Sequence, residues 1–394
     1  MPLTLQGDEP YHDIADNDSE ELDASTAFLP SHVSTAPVRR RRRYLWTSTG
    51  IVGVIVFITA VYTLWSWSEE AVAPAIDGMP VFSTSLGCND APFLYQNQTV
   101  NTFHLYPTSR TFHHELDIKG SAVGTITLAE GRPDAVDIEM DLSIRADDSD
   151  LAQHILLKLP DYVPGGVLTN SHSILWTPNA EYLDGRCMRY DIVLRIPPSL
   201  RSLTMRVYTL THVVFDPSAN IHLEDLSITS WSAEDGNMLL PHTSVRATRA
   251  EFETRGGWIV GEVPVEHHAN VLGRGQTTTD IVVKPVPNFE GPVGLQTILE
   301  HGRMDILYEH PHGGPHRTIR SKHDSDVMSN MFLTYKNSGF GGNLSVDAME
   351  AHAEGVHGVT VDDVSKWTDL WVGSRDGPDE VIVRTPAGWV GLFF

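Results

Sequence analysis

Apolar and polar residues alternate one by one along much of the C-terminal two-thirds of the chain. In residues 136–144 the apolar side chains stand two positions apart, with acidic or hydroxyl side chains between them. Because successive side chains of a β-strand point to opposite faces, this spacing predicts a strand with one buried face. Residues 80–345 contain no comparable helical periodicity, so the predicted fold class is mainly β. Further alternating runs, separated by prolines and glycines, follow at 155–159, 190–196 and 203–210.

A different pattern occupies residues 44–67. Residues 45–65 contain no charged side chain, and as a helix they would be ~32 Å long at ~1.5 Å per residue, enough to cross a hydrocarbon core of about 30 Å. Tyrosine and tryptophan stand at both ends of the run, as in the interfacial aromatic belts of membrane helices. We therefore predict a single transmembrane helix over 44–67. A buried core helix is the alternative, which the length and the missing polar face disfavour.

The residues before this span set its orientation. Basic residues close to a span stay cytoplasmic, so the N-terminus is predicted inside and the C-terminal part outside or lumenal. This is a type II signal-anchor topology, at the plasma membrane or in the secretory pathway. A cleaved signal peptide is the competing interpretation, but the apolar run is too long and begins too far from the start. The residues that determine the orientation are Arg39, Arg40, Arg41, Arg42 and Arg43.

Changes in composition divide the chain into five predicted segments. The residues before the span are rich in Asp, Glu, Ser, Thr and Pro and lack a periodic apolar face, so they cannot bury enough surface to fold. Prolines and a glycine directly after the span indicate a short stalk. The segments are a disordered cytoplasmic tail (1–43), the transmembrane helix (44–67), the stalk (68–80), a β-rich part (81–215) and a repeat-like part (216–394).

The repeat-like part alternates short strands with glycine turns. A Gly-Trp pair recurs at Gly257-Trp258 and at Gly388-Trp389, and turn signals recur at a loose spacing of about 20 residues, within the range of known repeat proteins. This pattern favours stacked rungs, as in a β-solenoid, and an ordinary sandwich or barrel is the alternative. A predicted loop insert at about 285–330 interrupts the repeat.

Charge, cysteine and short motifs add to this picture. The formal net charge of −23 at pH 7 disfavours nucleic acid as a partner. Cys88 and Cys187 both lie on the predicted outer side, where disulfides persist, and we expect them to pair, with two free buried thiols as the alternative. Asn97 and Asn343 begin Asn-x-Ser/Thr sequences on the same side and are predicted glycosylation sites.

The strand-and-turn motifs resemble a known family. Residues 257–261 read Gly-Trp-Ile-Val-Gly, and related turns occur at 228–236 and 384–390. This pattern is similar to adhesin-like domains of bacteria and fungi that carry Gly-x-Ile-x-Gly repeats, most clearly over 220–394. The overall plan also resembles fungal single-pass membrane proteins with an acidic tail, an arginine cluster and a β-rich outer domain. The resemblance implies a β-solenoid-like fold and no catalytic residues.

Histidines form one candidate chemical site. Imidazole is a common ligand of zinc and copper, so His310, His312 and His316 are candidate metal ligands. The prolines and glycines among them indicate a loop without fixed spacing, and a solvated loop is the favoured interpretation. A pH-sensing role for the 19 histidines is a further hypothesis. The whole cluster consists of His301, His310, His312, His316 and His323.

Acidic and aromatic residues form a second candidate chemical site. Asp137, Glu139 and Asp141 alternate with apolar residues and are expected on a solvated strand face, although such scaffolds can carry carboxylates that cleave glycosidic bonds. Tryptophans can stack on sugars, but packing at the ends of rungs is the favoured role. No nucleophile elbow of the form Gly-x-Ser-x-Gly occurs. The tryptophans considered are Trp231, Trp258, Trp371 and Trp389.

These patterns together predict a membrane glycoprotein with an outer adhesin-like β domain that binds a protein or glycan or has a structural role. No catalytic residue, cofactor or nucleic-acid partner is predicted. A membrane-anchored carbohydrate-active enzyme on a β-solenoid scaffold is the alternative. A groove with two converging carboxylates and aromatic walls would favour the enzyme, and a smooth stack would favour the binding module.

Overall fold

The structure, a computed structural model, describes residues 76–107, 112–160, 171–287, 289–310, 315–326, 329–358 and 366–394. The predicted tail, the arginines 39–43 and the predicted span 44–67 lie outside these ranges, as does the first part of the predicted stalk. Within the described ranges, no helix has the length and apolar character needed to cross a bilayer.

Strands dominate the described residues, which confirms the mainly β class. The one α-helix among them is a single turn, α1 (Ala180–Leu183), and short 3-10 turns occur at Thr84–Leu86, Tyr95–Asn97 and Leu151–His154. The strands are β1 (Phe93–Leu94), β2 (Asn101–Leu105), β3 (His113–Lys119), β4 (Val123–Glu130), β5 (Ile138–Ala146), β6 (Leu156–Lys158), β7 (His172–Trp176), β8 (Met188–Ile196), β9 (Ser202–Val207), β10 (Thr211–Phe215), β11 (Ile221–Ser230), β12 (Met238–Leu240), β13 (Val245–Thr254), β14 (Gly257–Val265), β15 (His268–Pro285), β16 (Val293–Glu309), β17 (Ile319–Ser325), β18 (Ser329–Asn337), β19 (Gly342–Glu354), β20 (Lys366–Val372) and β21 (Asp379–Phe393).

These strands form two ladders, which we call A and B. Ladder A runs in the order β6, β7, β3, β9, β11, β13, then the first halves of β15 and β16, β17, the first halves of β21 and β19, and β20. Ladder B runs from β1 and β2 through β5, β8, β4, β10, β12 and β14, then the second halves of β15 and β16, β18, and the second halves of β21 and β19. Pairing is parallel except at the two ends.

One ladder A strand and the ladder B strand that follows it form what we call a rung. Inward side chains of both ladders meet in one hydrophobic core, as where Phe215 of ladder B lies 6.0 Å from Phe252 of ladder A between ring centroids. The alternation predicted for 136–144 is confirmed from Ile138 to Ile144, whose apolar side chains are buried. Val136 precedes the strand and is exposed.

Glycine marks several of the corners where a rung turns from ladder A to ladder B. Gly257 has φ +96°, and a Cβ there would lie 2.2 Å from the carbonyl oxygen of Asn237 in the neighbouring rung. A Cβ at Gly388 would lie 2.4 Å from the carbonyl oxygen of Ser329. The Gly-Trp pair therefore recurs because both copies begin a ladder B segment against the backbone of another rung.

The order of rungs in space differs from their order in the sequence at both ends. Strand β21 lies between β17 and β19 in ladder A and between β18 and β19 in ladder B. Strands β3 and β4 are likewise inserted next to the later strands β7 and β8. Residues 285–330, predicted as a loop insert, instead contain β16 and β17, because the inward residues there keep the two-residue spacing of a strand.

An N-terminal strap, residues 76–92, crosses the outer face of ladder B. Its backbone N–H of Ser83 donates to Nδ1 of His212 at 2.9 Å, and buried Arg189 donates to the carbonyl oxygen of Ser83 at 2.8 Å. The predicted disulfide is confirmed, because Cys88 of the strap is bonded to Cys187 beside β8. Burial lowers the pKa of His212, which keeps this imidazole a neutral acceptor.

Candidate ligand cleft

An apolar concavity lies at the corner where the chain leaves ladder B and returns to ladder A. It has a volume of about 320 Å³. The ends of β14, β15 and β16 form one side, and the start of β13 forms the other. We call it the corner cleft. Its lining consists of Thr243, Arg246, Pro264, Lys284, Pro285, Val286, Pro287, Glu309 and His310.

Prolines form the apolar wall of the corner cleft. Pro264 stands next to the last residue of β14, and Pro285 is the last residue of β15. Proline lacks a backbone N–H and has a fixed φ, so it ends a strand and holds its ring in one position. The wall is therefore formed before any ligand arrives, which lowers the entropic cost of binding.

Lysine and glutamate side chains on this side neutralise one another. Lys284 forms an ion pair with Glu262 and lies 3.8 Å from Glu309. Burial raises the pKa of Glu262, but the Lys284 ammonium and the hydroxyl of Thr243, which donates at 3.2 Å, outweigh it and leave the pKa lowered. Lys284 is therefore already matched by carboxylates of the protein.

Arg246 also lines the corner cleft, but unlike Lys284 its charge is not matched by a carboxylate among the described residues. Its guanidinium donates to the side-chain oxygen of Asn220 at 3.1 Å, and it forms no ion pair with any residue that the structure describes. Arg249, three positions later in β13, is bound by both carboxylate oxygens of Asp225 at 2.5 and 2.7 Å. Arg246 is thus a partly exposed cation at the cleft with no acidic partner.

A buried arginine behind the wall of the corner cleft holds the backbone of that wall in place. Arg317 is 7% exposed and donates to the backbone carbonyl oxygens of Val265, Val286 and Glu266 at 3.3, 3.0 and 2.6 Å. It also reaches the carbonyl oxygens of residues 291 and 292. Burial lowers its pKa. These bonds fix the turns after β14 and β15, so one side chain determines the position of the cleft walls.

The predicted histidine cluster is only partly brought together. His310 lines the corner cleft, and its ring centroid lies 6.0 Å from that of His316. Nε2 of His316 lies 3.0 and 3.2 Å from the two carboxylate oxygens of Asp379, a buried residue. His312 is outside the described residues. Within the described parts of the chain, no three His, Cys, Asp or Glu side chains are grouped as metal ligands, and a solvated loop stays the favoured interpretation of the cluster.

The other two histidines of the cluster lie apart from it. His301 is exposed in β16, at the start of its ladder B half. His323 is fully buried in the core, where its two ring nitrogens lie 2.8 Å from the hydroxyl of Thr297 and 2.9 Å from that of Tyr335. Burial lowers the pKa of His323 to about 3. This imidazole is a structural hydrogen-bonding group and not a metal ligand.

The tryptophans form contacts at rung ends, as expected. At the corner from ladder A to ladder B, the Lys119 ammonium lies 5.9 Å from the ring of Trp176 and 5.3 Å from that of Tyr208. Tyr208 stacks on Trp231 at 6.1 Å, and the guanidinium of Arg255 lies 4.0 Å from the Trp231 ring. In these five residues, which we call the aromatic–cation row, ring faces are covered by cations or by one another. One face of each ring in the row is therefore already in contact with a cation or with another ring.

The remaining tryptophans are also engaged. Trp389 lies 4.9 Å from Phe332 between ring centroids, and Trp371 has the Arg375 guanidinium at 5.2 Å. Trp258 lies under the strap beside Gly78. The outward acids of β5 are paired as well, since Arg195 donates to both Glu139 and Asp141. Burial raises the pKa of Asp141, but its bonds from Thr102 and Arg195 outweigh this and lower it.

The predicted glycosylation sites are both accessible. Asn97 is exposed in the turn between β1 and β2, at one end of the stacked strands. Asn343 is exposed in β19, at the other end.

Arg246, Arg317 and the three prolines were not among the residues selected from the sequence. They lie at four separate corners where the chain passes from ladder B to ladder A, and no local spacing in the sequence connects them. The one usable signal was the pair Pro264 and Pro285, which stand at the ends of neighbouring alternating runs.

Comparisons with known proteins give limited similarity. No protein-family model matches this sequence, and no curated protein matches it. Structural matches include a proposed cell adhesion protein from Clostridium sporogenes ATCC 15579, with 10% identity, a TM-score of 0.24, and coverage of 74% of this chain and 97% of that chain. A proposed adhesin from Bacteroides fragilis NCTC 9343 has 9% identity, a TM-score of 0.36, and coverage of 77% and 98%. At these values neither protein's role extends to this chain.

Proposed function

We propose that this protein is a type II single-pass membrane glycoprotein whose outer part is a non-catalytic, adhesin-like binding module. The uncharged run at 44–67 behind five arginines supports the topology. The exposure of Asn97 and Asn343 supports glycosylation, and the Cys88–Cys187 disulfide fits an oxidising compartment. Repeated parallel pairing of one rung with the next supports a solenoid-like stack as the finer description of the fold.

The observation that carries the binding role is the corner cleft. It combines a rigid apolar wall with a few converging polar groups, the usual composition of a small-ligand site. The aromatic–cation row and the paired acids of β5 are already satisfied within the protein. A glycan or protein segment therefore binds in the cleft and not at these two surfaces.

The test is a ligand screen of the full-length chain in detergent against a glycan array and a panel of cell-surface proteins. Pro287 is exposed at the cleft, and Pro287→Trp would fill it. Pro386→Trp places the same bulk at an exposed position in β21, away from the cleft. We expect a ligand whose binding Pro287→Trp abolishes and Pro386→Trp leaves intact. If every ligand tolerates Pro287→Trp, the cleft is not the binding site.

Topology and glycosylation have a separate test. Treatment with an N-glycosidase should lower the apparent mass of the wild-type chain. Asn97→Gln and Asn343→Gln should each remove part of that shift, because both sites face the same compartment. A wild-type chain without any shift would contradict the glycoprotein assignment.

One observation favours the enzyme as a second candidate. Asp280 of β15 stands opposite Asp305 of β16 on the outer face of ladder B. Burial raises the pKa of Asp280, and the nearby Asp305 adds to this, whereas Asp305 is bound by Arg303 at 2.6 and 3.1 Å. Glycoside cleavage uses two neighbouring carboxyl groups, and a raised pKa on one of them suits the general acid. Polysaccharide hydrolysis that Asp280→Asn abolishes would establish the enzyme; the binding module predicts no hydrolysis.

A further inference from the structure

The chemistry of the corner cleft narrows its ligand, provided that the cleft is the binding site proposed above. Two other arginines, in the neighbouring strands β13 and β15, are paired with carboxylates. Arg249 pairs with Asp225, and Arg274 lies 3.7 Å from Glu253 and 3.1 Å from Glu300. Arg246 stands in the same ladder without such a pair among the described residues. Its charge is available to a ligand.

The described acidic side chains around the cleft have partners other than Arg246. Glu262 and Glu309 are engaged with Lys284. Glu266 is buried behind the wall and accepts from Nε2 of His222 at 3.0 Å and from the hydroxyl of Thr248 at 3.3 Å.

Arg317 adds a second cation beneath the same wall. All its described hydrogen bonds go to carbonyl oxygens and none to a carboxylate. Buried charge without a hydrogen-bonded counter-ion acts over a longer distance than exposed charge, because little solvent screens it. Buried Glu266 also acts electrostatically on Arg317, so the preference of the cleft for an anion rests on the guanidinium of Arg246.

The wall limits what carries that anion. Pro264, Pro285 and Pro287 have no backbone N–H, so a bound peptide main chain would find few donors along this side. A ring with one apolar face can pack against the prolines and needs no such donors. Its hydroxyl groups would meet Thr243 and Glu309.

The size of the cleft points the same way. About 320 Å³ is at the lower end of the ~300–1,000 Å³ typical of small-ligand pockets. We propose that the corner cleft binds a carboxylate-bearing sugar residue of an acidic glycan, with the carboxylate on Arg246 and the apolar ring face on the prolines.

The experiment uses the full-length chain in detergent and three probes. These are a hexuronate trisaccharide, the same trisaccharide with its carboxyl groups reduced to alcohols, and an acidic peptide of matched charge. The variant is Arg246→Gln. Arg249→Gln is the control, because it removes the same charge from the same strand.

We expect the hexuronate to bind at least tenfold more tightly than its reduced form. Arg246→Gln should remove that advantage, and Arg249→Gln should change it less than twofold. Pro287→Trp should abolish binding of both sugars.

Each other result is decisive. If the reduced trisaccharide binds as well as the hexuronate, or if both arginine variants act alike, the acidic-sugar proposal is wrong. If the acidic peptide binds and the sugars do not, the ligand is a protein segment. In both cases a ligand lost in Pro287→Trp would still support the binding module. If Pro287→Trp affects no ligand of the wider screen either, the proposed function fails together with this inference.

Discussion

The two corners of the stack differ in the partners of their cationic side chains. At the turn from ladder A to ladder B, the cations Lys119 and Arg255 lie on aromatic rings, and each neighbour in the aromatic–cation row covers the next. At the turn from ladder B to ladder A, Arg246 faces an apolar wall and has a neutral amide as its partner. The first corner completes its contacts within the protein, whereas the second leaves a cation and an apolar surface open.

This contrast separates stability from binding. Contacts completed within the protein contribute to the free energy of folding, and variants there should alter unfolding and leave ligands unaffected. An open cation contributes little to folding, since exposed charges are well solvated. The four predictions below test this separation in order of expected effect on stability.

Lowering the pH should have the largest effect on the free energy of unfolding. It acts on two buried histidines in different parts of the core. Burial lowers the pKa of His114 in β3 and of His323 in β17 from 6.5 to about 3. The unfolded chain binds these protons near pH 6.5 and the folded chain does not, so stability falls as pH decreases from 6.5 towards 3. Each histidine costs about 1.4 kcal/mol per pH unit.

Urea unfolding at pH 7 and pH 5 should therefore differ by about 4 kcal/mol from these two groups. His323→Gln should remove about half of that difference, and His301→Gln, at an exposed position, should remove none. Equal stability of the wild type at the two pH values would contradict the burial of both imidazoles.

Removing the cation beneath the corner cleft should come next. Arg317→Met leaves the carbonyl oxygens of Val265, Val286 and Glu266 without their donor, and we expect a loss of about 3 kcal/mol in the free energy of unfolding. Arg246→Gln at the rim should change it by less than about 0.5 kcal/mol. Similar losses of unfolding free energy in the two variants would show that Arg317 does not support the cleft more than Arg246 does.

Truncation within the aromatic–cation row should have a smaller effect. Trp231 is partly buried between Tyr208 and Arg255, so Trp231→Ala should cost about 2 kcal/mol, less than the ~3–5 kcal/mol of a fully buried tryptophan. Unfolding followed by circular dichroism measures this. The folded variant should bind any cleft ligand with unchanged affinity, and a loss of affinity would assign the row to the binding site.

The smallest effect is expected for the cation at the end of the row. Arg255→Gln removes an exposed cation from the face of Trp231, and exposed contacts of this kind contribute about 0.5–1 kcal/mol. The melting temperature at low and high salt would detect it. Arg320→Gln, at an exposed position on β17, is the matched control and should change nothing measurable.

Much of the fold followed from the two-residue spacing. The predicted runs at 155–159, 190–196 and 203–210 overlap β6, β8 and β9, because burial of one face imposes the same alternation on every strand. The disulfide followed from having two cysteines on one side of the predicted span. The recurring Gly-Trp pair marked the A-to-B corner because only glycine fits against the neighbouring backbone there.

Other features have no local signal. Strand β16 bends from one ladder into the other and continues past glycines, so the sequence predicts a loop insert at about 285–330 where the structure has β16 and β17. The position of β21 between β17 and β19 depends on long-range pairing, which alternation cannot specify. The corner cleft depends on this stacking, and Arg317 stands in a histidine- and glycine-rich stretch that reads as solvated loop.

Strand β21 has a consequence for how the protein is made. It supplies hydrogen bonds to β17 and β18 on one side and to β19 on the other, yet it is synthesised after all three. Until then β19 has only β20 beside it, and an isolated two-stranded pair is marginally stable in water. The growing chain therefore exposes two unpaired strand edges until the fifteen residues of β21 emerge. A chaperone that shields strand edges would act in the interval between the synthesis of β19 and that of β21.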